Sequence, residues 1–166
     1  SEDNMSFRTD AFVTVSPNNA KIFLSEYSDG ENEIKLITAV DVNTLQKIKE
    51  TKTITSTSEW DDITPDGKYY LNADKTEKIR VYSLETQKTA AELFDSKAAF
   101  TKLTVSPDDL KYAGATDNGL IKIWSADGKE LHKISTDLPV VTFLTFSPNG
   151  QNLISIHNTS IMKGND

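Results

Sequence analysis

Apolar and polar residues alternate in short runs along this chain, and turn-forming residues break the runs at regular intervals. The clearest unit runs from Thr104 to Leu131. Its first run ends at Ser106-Pro107, where proline presets φ for a turn and Asp108-Asp109 tolerate the tight conformations that follow. Lys111 to Ala115 then predicts a half-buried strand, Asp117-Asn118-Gly119 a hairpin turn of residues that accept positive φ, and Leu120 to Trp124 a second strand. Asp127-Gly128 turns the chain again and Leu131 to Ile134 ends the unit, so the pattern predicts an antiparallel meander of four short strands.

The unit recurs. Ser16-Pro17, Thr64-Pro65, Ser106-Pro107 and Ser147-Pro148 are hydroxyl-proline pairs whose prolines lie 48, 42 and 41 residues apart, a period in the range of a propeller blade. Two residues before each proline stand Val15, Ile63, Val105 and Phe146, and five after it Ile22, Tyr70, Tyr112 and Leu153, all apolar strand positions. Later in each repeat Lys35, Arg80, Lys122 and Lys163 fall in one column beside apolar neighbours, which reads as the solvent side of an alternating strand. The predicted blades cover approximately residues 11–50, 60–95, 99–135 and 140–166 of a single domain. Thr51 to Glu59 reads as a strand end and connecting loop. Thr89 to Phe94 carries the helix-favouring run Ala90-Ala91-Glu92-Leu93, and the repeat context assigns it to an outer strand.

With Ser106-Pro107-Asp108-Asp109, Asp117-Asn118-Gly119 and Ile121-Lys122-Ile123-Trp124 in place, the chain resembles the WD-repeat family of β-propeller blades. Ser125 stands where that family has Asp after the tryptophan, and the chain has no Gly-His dipeptide. The resemblance implies an all-β propeller of four-stranded antiparallel blades, here small or incomplete. It also implies a non-catalytic scaffold that binds protein partners through the loops of one ring face. Thr64 to Tyr70 followed by Ile79 to Tyr82 also resembles blades of lactonase-like and periplasmic propellers, which implies the alternative of a propeller enzyme or its accessory domain.

Composition narrows the partners. The 166 residues carry a formal net charge of -7, which argues against nucleic acid, since that affinity rests on Lys and Arg neutralising phosphates. The same acidity favours a basic or neutral protein partner. There is no cysteine, so disulfides and thiolate metal sites are excluded. No run reaches membrane-spanning length, and residues 1–10 lack an apolar signal core, so a soluble, cytoplasmic protein with no membrane partner is expected.

Candidate chemistry is sparse, and neither a cofactor nor a metal nor a catalytic residue is expected. His132, in an outer strand, and His157, where other repeats place a turn, have no neighbours at metal-ligand or relay spacing. Asp61-Asp62 breaks an otherwise regular column: Val13, Leu103 and Leu144 hold the position of Asp61 in the other repeats, and Thr14, Thr104 and Thr145 that of Asp62. A carboxylate in an inner strand is costly unless paired or wet. It either faces a central channel, where it could meet a cation or a partner's basic side chain, or marks a local register shift or solvated edge. Asp29, Glu31 and Glu33 alternate in an acidic insertion without the ligand pattern of a calcium loop, and read as a solvated hairpin tip that could meet a partner. Trp60 and Trp124 read as packing residues. Asn4-Met5-Ser6 and Asn158-Thr159-Ser160 match a glycosylation acceptor.

The fourth repeat runs out inside or just after its third strand, which predicts an open blade edge. Three readings follow: part of a longer propeller, self-association that completes a ring, or a closed four-blade ring with Met5 to Arg8 as the missing strand.

Overall fold

The structure, a computed structural model, describes residues 13–15, 21–28, 34–54, 60–73, 78–94, 98–108, 110–138 and 140–158. These contain fourteen strands and no helix. Strands β1 (Val13–Val15), β2 (Lys21–Ser28), β3 (Ile34–Asp41) and β4 (Lys47–Ile54) form the first antiparallel meander. The second comprises β5 (Trp60–Ile63), β6 (Tyr69–Ala73), β7 (Lys78–Ser83) and β8 (Lys88–Phe94). The third comprises β9 (Phe100–Val105), β10 (Lys111–Thr116), β11 (Leu120–Ser125) and β12 (Glu130–Ser135). In the fourth, β13 (Val140–Phe146) pairs with β14 (Leu153–Asn158). The inner strands β5, β9 and β13 lie side by side, so the sheets stack face to face as blades, and the chain folds as an all-β propeller of four-stranded antiparallel blades.

The hydroxyl-proline pairs close the first turn of the second, third and fourth blades by one repeated latch. Thr64 Oγ1 donates to Asp66 Oδ1 at 2.8 Å and accepts from the Tyr69 amide at 2.8 Å, while Asp66 Oδ1 also accepts from the Lys68 amide. Ser106 repeats this with Asp108 and the Lys111 amide, and Ser147 with Asn149 and the Asn152 amide. A small hydroxyl followed two residues later by Asp or Asn therefore satisfies the amides that a tight turn leaves unpaired. The aspartates answer to these bonds. Burial would raise the Asp66 carboxyl, but the Lys68 side chain and amide and the Thr64 hydroxyl hold it below the usual carboxylate range.

Side chains alternate between the two faces of each blade, and facing blades bury them against each other. Between the second and third blades Leu71, Ala73, Ile79, Val81 and Leu93 meet Phe100, Val105, Tyr112 and Trp124. Phe100 stacks edge-on to Trp124 with ring centroids 5.8 Å apart. The close approach requires a glycine, because a Cβ on Gly114 would lie 2.9 Å from the Phe100 ring and 3.0 Å from Ile79 Cδ1. Between the third and fourth blades Ala113, Ala115, Ile121 and Ile123 meet Val141, Leu144 and Phe146. The first and second blades share a smaller cluster of Ile37, Ile63, Tyr70 and Leu84, beside a gap of about 110 Å³ that Thr51 and Gly67 help to line.

The structure corrects two local expectations. Lys122, expected on a solvent face, is buried at 8% exposure, and its Nζ reaches Glu130 at 3.0 Å; Arg80 likewise meets Glu92 at 3.5 Å. The long stems of these cations lie on the inter-blade face and carry the charge outward to an acid of the outer strand. His157 lies within β14 rather than in a turn. The outer strand of the first blade ends at Ile54, within the stretch expected to hold the strand end. Thr89 to Phe94 forms the outer strand β8, where pairing with β7 outweighs the local helix preference. Met5 to Arg8 and Lys163 lie outside the described residues.

Candidate functional site

The sequence-predicted carboxylates are brought into two different settings. Asp61 pairs in register with Asn72, which pairs with Arg80, which pairs with Glu92, so a polar stripe crosses the second blade on its face toward the first. Within it the Tyr70 hydroxyl donates to Asp61 Oδ2 at 2.8 Å and accepts from Asn72 Nδ2 at 3.3 Å. Asp62 points to the opposite face. Its Oδ1 accepts from the Ile63 amide at 2.8 Å and its Oδ2 from the Val105 amide of the next inner strand at 3.1 Å. Enclosure between the blades pushes the Asp62 carboxyl up to about 6, against the lowering effect of the Ile63 and Val105 amides. An inner strand has one edge with no β partner, and Asp62 covers one amide of that edge. Asp29 and Glu31 lie outside the described residues.

The remaining candidates are dispersed. His157 contacts Ser155 Oγ through Nε2 at 3.0 Å and the Leu138 carbonyl through Nδ1 at 3.3 Å. His132 is exposed on β12 and lines a groove of about 430 Å³ between the third and fourth blades. Lys111 crosses that groove to donate to the Gly150 carbonyl at 3.1 Å. Trp124 is buried in the core, as its packing role requires. Among the described residues no three His, Cys, Asp or Glu side chains cluster so as to hold a metal ion, and no helix is long and apolar enough to cross a membrane.

One feature of the fourth blade escaped the sequence. Its register pairs Phe143 with Ile156, Thr145 with Ile154 and Val140 with Asn158, all on the face turned away from the third blade. Val140, Phe143, Ile154 and Ile156 are between 43% and 55% exposed there, while Val141, Leu144 and Phe146 on the other face are buried. The repeat explains the contrast. Ile154 stands six residues after its proline, as do Leu71 and Ala113; Ile156 stands eight after it, as do Ala73 and Ala115. Those four are buried by the blade that follows. The signal was present as two apolar columns, but whether a column is covered depends on a neighbour that the column does not encode.

No protein-family model matches the chain, and no curated protein matches it by sequence. Its fold is similar to that of a chain of Kuenenia stuttgartiensis hydrazine synthase, with a TM-score of 0.64 and 19% sequence identity. The likeness covers 96% of this chain and 46% of that one, so the present chain spans just under half the length of its structural neighbour. At that identity the similarity establishes the architecture, and the chain is an all-β, propeller-type array of stacked antiparallel blades.

Proposed function

We propose that this chain is a non-catalytic, protein-binding module of propeller type, related in design to WD repeats, and that the outward face of its fourth blade is a contact surface. The observation that carries this reading is the exposed group Val140, Phe143, Ile154 and Ile156 on a sheet face whose repeat equivalents are buried. Contiguous exposed apolar residues on an otherwise well-packed protein mark interaction surfaces. The acid side chains of the turns and of the inter-blade layer are engaged in internal hydrogen bonds, which favours a framework role for them. The net charge of -7 favours a basic or neutral partner at the loops.

The enzyme alternative draws support from the name of the structural neighbour and from the raised pKa of Asp62. Both oxygens of Asp62 already accept backbone amides, an arrangement that favours tying blades over moving protons. Hydroxyl-radical footprinting of the purified chain and of the chain in native extract tests the contact reading. Phe143 and Ile156 are expected to be protected in at least one of the two samples. Protection no greater than half exposure within one folded chain accounts for, in both samples, would overturn it.

A further inference from the structure

We propose that the gap between the first and second blades is a binding site for a small organic carboxylate with a short apolar body. Two positions on β4 open that gap. In the second blade Ala91 and Leu93 of β8 pair in register with Val81 and Ile79 of β7, and Leu93 is 1% exposed in the interface with the third blade. Strand β4 repeats the arrangement against β3. Lys49 pairs with Ala39 and Thr51 with Ile37, and the register shifts at the same point in both strand pairs, between Ala39 and Val40 and between Val81 and Tyr82. Lys49 therefore stands where the next blade has Ala91, and Thr51 where it has Leu93. A leucine at this place fills the space between two blades, whereas the shorter threonine lines an opening of about 110 Å³. Thr51 is 6% exposed, yet no group among the described residues hydrogen-bonds its hydroxyl. A buried hydroxyl left unpaired costs free energy, so one that lines a cavity marks a place for a bound group.

The walls select the class of that group. Lys21 and Lys49, both exposed, line the gap from the solvent side, and Lys49 has no acid partner among the described residues. Ile37, Ala39, Ile48 and Leu84 supply an apolar lining. Asp66 also borders the gap and is held ionised, but its oxygens are already engaged: Oδ1 accepts from the Thr64 hydroxyl and the Lys68 amide, and Oδ2 meets Lys68 Nζ at 2.8 Å. One negative charge is thus favoured beside the lysines and the Thr51 hydroxyl, with carbon against the apolar lining. A doubly charged phosphate would face both the Asp66 carboxylate and the apolar side chains, and an amine would face the lysines. The volume is that of roughly four waters, which fits a carboxylate of about three to five carbons.

Titration of sodium butyrate into the isotopically labelled chain, followed by amide NMR, tests this. Butyrate is expected to bind saturably and to shift the Thr51 and Gly67 amides, while butylamine and phosphate at matched ionic strength give no saturable shift there. Thr51→Val keeps the shape, removes the hydroxyl and is expected to weaken butyrate binding about tenfold. Lys49→Met keeps the aliphatic stem and is expected to weaken it about twofold to fivefold, as the loss of an exposed charge contact. Thr51→Leu installs the residue that the second blade has at this place. It is expected to abolish binding with a melting temperature at or above that of wild type, because the added carbon fills the gap. A gap that holds water only, seen as no saturable response to butyrate, would overturn the proposal. So would an equal response to phosphate, a Thr51→Val protein that binds butyrate as wild type does, or a Thr51→Leu protein that folds but melts below wild type. Thr51→Val, close in shape to threonine, keeps the test decisive where the leucine variant does not fold.

Discussion

Leu71 and Ile154 hold the same position in two repeats, on the same face of the same strand, and differ completely in exposure. Leu71 is fully buried and Ile154 is 48% exposed. Both are apolar and lie in second strands paired in register with an inner strand, but Leu71 also has Val81 of β7 beside it, whereas the described sheet around Ile154 ends at β14. The burial of Leu71 comes from the blade that follows it, whose Phe100, Val105 and Tyr112 pack into the same cluster. In a stacked-blade fold each sheet supplies half of an interface, so stability is a property of neighbours, as in other repeat arrays.

That comparison can be broken or sharpened by substitution. The largest effect is expected at the closed interface. Leu71→Ala removes a fully buried side chain and should cost about 2–5 kcal/mol in urea unfolding, through lost transfer energy and the cavity left behind. A cost under about 1 kcal/mol would mean that the second and third blades do not pack as described.

Next comes the latch. Ser106 is fully buried, and its hydroxyl both donates to Asp108 and accepts from the Lys111 amide at 2.9 Å. Ser106→Ala leaves that amide without its side-chain acceptor and should cost about 1–3 kcal/mol. The equivalent Ser147→Ala, in a half-buried turn of the fourth blade, is expected to cost less, because water can replace the lost hydroxyl. Equal losses at the two sites would contradict the difference in burial between them.

A pH dependence is expected at Asp62. Its folded pKa of about 6 lies above the ordinary carboxylate value of 3.8, so the folded protein binds this proton more tightly than the unfolded chain does. Asp62 therefore lowers stability above about pH 6, and that penalty is relieved as pH falls from 6 toward 3.8. Asp62→Asn does not titrate, so the melting temperature of wild type relative to the variant should rise across that window and stay flat above it. The turn carboxylates such as Asp66 and Asp108, which are held low, affect both proteins alike and cancel in the difference. Parallel curves across the window would remove the inter-blade setting assigned to Asp62.

Much of this architecture was legible in the sequence. Ser106-Pro107 and its equivalents announced both the period and the turn, because a latch built within a few residues depends only on local chemistry. The fate of the Lys122 column was not legible. Alternation assigns a residue to a face, but whether that face meets water or the next blade is decided by packing, and a long aliphatic stem tolerates either. Asp61 and Asp62 stood out as irregular, and their partners, Tyr70 nine residues away and Val105 on the neighbouring blade, could be found only once the sheets were stacked. The exposed face of the fourth blade was hidden for the same reason.

The most direct measurement is the stability cost of Ile154→Ala in urea unfolding, beside Leu71→Ala as the control. The Ile154 cost should be under about 1 kcal/mol, as a half-exposed side chain on an uncovered face implies. A cost at Ile154 equal to that at Leu71 would mean that the face is buried within the chain, and would contradict the account.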